Sequence, residues 1–153
     1  MCYSTPLEVS AYGFSRGDKS FKDLLYIEDL IILKQDCSPQ YTTMDSDAIL
    51  EYYDKLLDKD IPLQRGTRVW FHTHPVMTAS PSSTDVDTFA ESFDGPDWSV
   101  MAIISQTDDM SARLKITTPL AAIEEDIEIK IDWDSYPVDL KRMAMEMEGW
   151  EEE

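Results

Sequence analysis

Short apolar segments of strand character alternate along this chain with three segments that read as helices, and this interleaving most narrows the fold. Residues 7–14 alternate well enough for a strand running into a glycine turn, and residues 24–33 read as a second strand. Residues 44–59 predict a helix. Asp45 or Ser46 can cap it, and Ile49, Leu50, Tyr53, Leu56 and Leu57 make one apolar stripe, with Pro62 and Gly66 ending the segment. Residues 68–72 form a short strand, followed by a loop rich in Pro, Ser and Thr up to Ser83. A helix over 84–93 has acidic residues in its first turn, where the helix dipole favours them. Three further strands are expected over 98–105, 112–117 and 127–133, and Pro137 suits the first turn of a closing helix that reaches about residue 147. Interleaved in this way, the elements specify an α/β sandwich with a mixed β-sheet flanked by helices.

At 153 residues one domain is the default, and a chain of this size buries roughly 70% of the surface its unfolded form exposes. The expected bounds are 1–148 for the domain and 149–153 for an acidic tail. An apolar content of 42% argues against disorder despite the charge. With 31 acidic and 13 basic residues the net charge is −18, which repels nucleic acid and anionic lipid alike. No window has the run of about 18 apolar residues that a membrane span needs, and residues 1–6 lack a signal-peptide pattern. Cys2 and Cys37 form no disulfide framework or CxxC pair, and with eight Met they read as a chain of the reducing cytoplasm. Residues 124–153 hold 12 acidic and 3 basic residues. They read first as a solvated acidic face and second as a docking surface for a basic partner.

The chemistry concentrates in one stretch. The chain has two histidines, and they stand two apart in His72-Thr73-His74. In an extended segment, positions i and i+2 point to one side, so both imidazoles can converge. Pro75 to Pro81 follow, then Ser82 and Asp85, which share a helical face if a helix begins near Ser82. Two neutral imidazoles and one carboxylate are a three-ligand set for catalytic zinc, with the fourth tetrahedral position left for water. Ser82 and Asp85 also read as a helix cap and its first-turn acid, a role compatible with metal binding. Such a site needs a carboxylate to shuttle the proton, and the composition offers too many acids to choose one by counting.

His72-x-His74, seven residues, Ser82, two residues and Asp85 resembles the signature of the JAMM (MPN-plus, JAB) metalloproteases, in residue type and in both spacings. Pro75 after the second histidine is also typical. The early segment Glu8-Val9-Ser10-Ala11-Tyr12-Gly13 is similar to the family's Glu-bearing strand, with Ala11 where Gly is often found; Glu28 on the next strand competes with Glu8. The resemblance covers the whole length. It implies a single MPN/JAB sandwich of the cytidine-deaminase-like type, holding one Zn2+ per chain on His72, His74 and Asp85. Glu8 would be the general acid/base, and Ser82 would hold the oxyanion. It further implies hydrolysis of the peptide or isopeptide bond at the C-terminus of a ubiquitin-like protein. The compact length is similar to prokaryotic or phage members, which accompany E1- and E2-like proteins in conjugation systems, including antiviral ones. Alternatives are hydrolysis of a small adduct on a sulfur-carrier protein, a non-catalytic MPN scaffold, and a metal that only stabilises the fold. Met77, Thr78 and Ala79 depart from the bulkier residues of many relatives and leave substrate shape open. Elsewhere, Trp70 is expected to pack beneath the site, Trp98 and Trp133 to lie in the core, Arg113 to pair with an acid, and Cys2 and Cys37 to be inert thiols.

Overall fold

A computed structural model of the chain describes residues 6–16, 25–107, 109–117, 119, 121–132, 134 and 141. Among these, strands β1 (Ser10–Ser15), β2 (Ile27–Ile31), β5 (Val69–His74), β6 (Trp98–Ser105), β7 (Met110–Thr117) and β8 (Ala122–Ile127) form one six-stranded sheet. Its order is β2-β1-β5-β6-β7-β8. Strands β3 (Gln35–Cys37) and β4 (Thr42–Met44) make a separate antiparallel pair. The helices are α1 (Ser46–Leu57), α2 (Leu63–Thr67) and α3 (Ser83–Ser92). The pairing of β5 with β6 is parallel and the other pairings are antiparallel, so the sheet is mixed, as the interleaving of elements predicts. A parallel pair needs a crossover, and α3 supplies it. No helix among the described residues is long and apolar enough to cross a membrane.

Alternation along the strands divides the molecule into two layers. Tyr12, Trp70, Met101 and Ile103 look to one face, where they meet Tyr52 and Leu56 of α1, Phe89 of α3, and Phe93. Val69, Val100, Ala102 and Ala112 look to the other, with Phe71, Leu114, Ile127 and Ile129 packed against them. The neighbouring strands β1 and β5 approach closely at Gly13, where an added Cβ would lie 2.9 Å from Val69 Cβ. Any larger residue there must push the strands apart.

Strand β6 spans the bounds expected for it, and α3 begins one residue earlier than expected. Other elements differ. Helix α1 is capped by Asp45, whose carboxylate accepts from Ala48 N at 2.9 Å, but its apolar stripe is turned from the expected one. Leu50 and Leu57 are 60% and 56% exposed, whereas Tyr52 and Leu56 are buried. The Tyr52 ring stacks near Tyr12 with centroids 6.0 Å apart, and seating aromatic rings against the sheet sets the helix rotation. Of the strand expected over 127–133, only Ile127 lies in a strand among the described residues. β8 occupies Ala122–Ile127 instead, because this stretch pairs antiparallel with β7, from Thr117 opposite Ala122 to Ala112 opposite Ile127. Ile127 and Ile129 then pack on the sheet's second face. Arg113 pairs with Glu124 and Asp126 of β8, at 3.7 and 3.2 Å. Trp98 is half-buried, packed against the second face's core and with the Arg68 guanidinium 4.2 Å from its ring centroid. The expected closing helix falls outside the described residues apart from Lys141, and so do Cys2, Trp133 and the 149–153 tail.

Candidate metal centre

The site begins with β5, whose Val69-Trp70-Phe71 run is a natural strand former. The strand continues beyond the expected end at residue 72 and carries both histidines in extended conformation, so Trp70, His72 and His74 share one face. The Trp70 indole stacks on the His72 ring at 4.3 Å between centroids, and its Nε1 donates to Ser10 Oγ at 3.1 Å. Beside it, β1 pairs Ser10 with His72. Thr73 N donates to Val9 O at 3.0 Å and Val9 N to Thr73 Oγ1 at 2.9 Å. The same register, continued one residue further, sets Glu8 opposite His74.

Two more contacts hold this segment. Glu8 N donates to Ser38 O at 2.8 Å. The buried Gln35 side chain clamps the Ser10 backbone, with Oε1 accepting from Ser10 N at 2.7 Å and Nε2 donating to Ser10 O at 3.0 Å. Glu8 therefore precedes β1 rather than lying within it, held by the β3–β4 pair on one side and β5 on the other. Glu28 lies elsewhere, on β2, where it pairs with Arg16 at 3.2 Å and Arg65 at 3.5 Å.

Asp85 arrives on the first turn of α3. Ser82 is the N-cap. Its Oγ accepts from Asp85 N at 3.2 Å, and Asp85 Oδ2 accepts from Ser82 N at 2.6 Å, a reciprocal capping box. The helix-cap role and the position beside the histidines thus coexist in the same residues. Asp85 Oδ1 lies 3.3 Å from His72 Nε2, and Oδ2 lies 3.4 Å from His74 Nε2.

The four side chains Glu8, His72, His74 and Asp85 each offer one ligand atom, all within 4.8 Å of one another, and all four residues are buried. The hydrogen bonding around them discriminates between bland and metal-binding readings. His74 Nδ1 lies 2.8 Å from Thr78 O. A carbonyl oxygen only accepts, so Nδ1 carries the hydrogen and the neutral ring turns the Nε2 lone pair inward. Both ring nitrogens of His72 are buried without a hydrogen-bond partner. Its Nε2 is near Asp85 but not aligned to donate, so the contact is one of proximity. Orphaned nitrogens in a buried ring cost about 1–3 kcal/mol, and a cation accepting the Nε2 lone pair removes that cost for one of them. The donor set therefore fits a borderline-soft divalent ion such as Zn2+.

The electrostatics agree. Burial lowers the His72 imidazole below its ordinary value, outweighing Asp85, so the ring is neutral and competent as a ligand. Asp85 raises His74, against burial and with help from Thr78 O and Glu8. Burial pushes the Asp85 carboxyl up, but the nearby imidazoles and Ser82 together hold it well below the usual carboxylate range. Burial raises the Glu8 carboxyl to about 7, with His74 opposing and Asp85 adding. Asp85 raises both His74 and Glu8, so its buried charge favours an added positive charge here, and what attracts a proton there attracts a cation.

Comparison with known proteins bears on the fold only. No family model matches the chain, and no curated protein does. Among solved structures it is similar to the solution structure of protein DSY2949 from Desulfitobacterium hafniense, a structural-genomics target. Sequence identity is 20% and the TM-score 0.53, over 88% of this chain and 86% of that one. The likeness is one of architecture.

Sequence reasoning missed the supports of the site. Thr78 acts through its carbonyl, which any residue type carries, so no motif marks it. Gln35 lies in a three-residue strand, too short for periodicity to register, and its clamp on Ser10 follows from tertiary placement alone.

Proposed function

We propose that the chain is a zinc-dependent metallopeptidase of the JAMM/MPN-plus type, hydrolysing the peptide or isopeptide bond at the C-terminus of a ubiquitin-like protein. On this reading the α/β sandwich belongs to the MPN/JAB class. The protein works in the cytoplasm beside E1- and E2-like partners. The observation that carries the metal assignment is the convergence of Glu8, His72, His74 and Asp85 around an imidazole whose nitrogens lack other partners. The substrate class comes from the resemblance of the His72–Asp85 motif, and the acidic surface is compatible with a basic protein partner.

His72, His74 and Asp85 would hold the ion. When bound, zinc would supply Lewis acidity toward a carbonyl oxygen and lower the pKa of a water. Glu8, buried beside His74, would accept a proton from the attacking water and return it to the leaving amine. Ser82 Oγ accepts from Asp85 N, which leaves its own hydroxyl hydrogen free to donate to an oxyanion. The capping bond thereby orients the donor.

A second reading draws on Glu8 itself. It stands close enough to the others to be a fourth ligand, and a closed four-ligand set would be structural rather than catalytic. Glu8→Gln separates the two. The catalytic reading expects unchanged zinc content and melting temperature, with cleavage of a fluorogenic ubiquitin-like amide falling by about 10²–10⁴-fold. Loss of zinc together with a lower melting temperature would instead identify Glu8 as a structural ligand. Parent-like cleavage by Glu8→Gln would overturn the acid/base assignment. Cleavage of a small amino-acid adduct from a sulfur-carrier protein, but of no ubiquitin-like amide, would move the substrate to the alternative class.

A further inference from the structure

Lys115 in β7 is 2% exposed, although it carries an ammonium group. Its Nζ donates to Phe89 O at 3.1 Å, lies 4.9 Å from the centroid of the Phe89 ring, and approaches Asp94 Oδ1 at 3.5 Å. Phe89 stands one helical turn after Asp85, and these two are the buried residues of α3. Ser99, the cross-strand partner of Lys115, is fully buried and donates its Oγ to Phe93 O at 3.0 Å. Two paired side chains rising from the sheet thus grip the C-terminal half of α3, while the Ser82–Asp85 capping box fixes its other end. A buried charge is a poor way to gain stability, since an apolar side chain of similar volume does as well or better. What the ammonium adds is direction. It binds one carbonyl and one ring face at the negative end of the helix dipole, contacts that a shift of α3 along the sheet would break.

We propose that Lys115 is a positioning residue for Asp85, acting through Phe89 to hold the carboxylate at the depth where it meets His72 and His74. The inference rests on the metal-centre reading above. Its test is Lys115→Met, which keeps the length and removes both charge and donor. The readouts are Co2+ affinity by competition with a chromophoric chelator, and the visible ligand-field spectrum of the Co2+-loaded protein. Lys115→Met is expected to bind Co2+ about ten-fold more weakly, with an altered spectrum, as loss of an outer support does at metal sites. Lys115→Arg, which retains a charged donor, is expected to recover most of that loss. Val100→Ala, which weakens the opposite face of the sheet, is expected to lower the melting temperature and leave the affinity unchanged.

Parent-like affinity and spectrum in Lys115→Met would overturn the proposal, as would an equal loss in Val100→Ala, which marks a mere stability effect. If Lys115→Met does not fold, Lys115→Gln, which removes the charge and shortens the reach to Phe89 O, carries the same comparison, and parent-like Co2+ affinity and spectrum there overturn the proposal. A parent protein that takes up no Co2+ at all overturns the metal-centre reading, and this inference with it.

Discussion

The two faces of β5 put adjacent residues to opposite uses. Val69 and Phe71 enter an apolar layer with Val100, Ala102 and Ala112, where the favourable contribution is apolar area removed from water. Trp70, His72 and His74 enter a layer of stacked rings and buried polar groups, where desolvation acts against folding unless a partner compensates it. One strand therefore contributes to stability on one side and accepts a stability cost on the other. Side-chain alternation lets these differ independently, so substitutions on the two faces are expected to separate into different observables.

The largest separation is expected from His74→Ala. It removes a proposed ligand together with the Nδ1 contact to Thr78 O, and zinc affinity should fall by more than the roughly 10–100-fold that follows loss of an outer partner. Isothermal titration with Zn2+ measures this, and affinity within a few-fold of the parent would mean that the ion, if bound, sits elsewhere. Gly13→Ala should show the reverse pattern. Its methyl would press on Val69 Cβ, at a cost of about 1–3 kcal/mol in urea unfolding, with zinc affinity retained. Weaker zinc binding without loss of stability would show that the layers are coupled. The smallest effect, and the sharpest in sign, is expected from His72→Phe. In chelator-treated protein the ring can still stack on Trp70 while two unpartnered nitrogens disappear. Urea unfolding should then show stability equal to the parent or up to about 1 kcal/mol higher, although metal binding is lost. A clear destabilisation of the metal-free protein would indicate that those nitrogens have partners after all.

The legible parts of this molecule are those written in residue type at short range. The run from Trp98 to Ser105 is apolar and bounded by turn residues, and β6 occupies it in full. Ser82 and Asp85 carry the spacing of a capping box, and α3 starts there. His72 and His74 stand at strand spacing, and the structure places them on one face, with Glu8 rather than Glu28 near them. Illegible were features that depend on what a segment meets. The isoleucines at 127, 129 and 131 imitate a strand, yet hydrogen-bond pairing with β7 selected the more acidic stretch that ends at Ile127. Leu50 looked as apolar as Leu56, but α1 turns Tyr52 and Leu56 toward the rings on the sheet and leaves Leu50 in solvent. The contacts of Lys115 and Gln35 are long-range and polar, and hydrophobic patterning is blind to those.

The capping box at Ser82 and Asp85 has a consequence for how an ion would arrive. A free carboxylate on a loose loop must surrender its rotational freedom when it coordinates, and that loss weakens capture. Here folding has already surrendered it, because the backbone amide of Ser82 steers the carboxylate before any cation is near. The arrangement also ties occupancy to local fraying. Each time the first turn of α3 unwinds, the pocket would lose a donor, so by thermodynamic reciprocity an occupant that favours the wound form lowers the population of the frayed form.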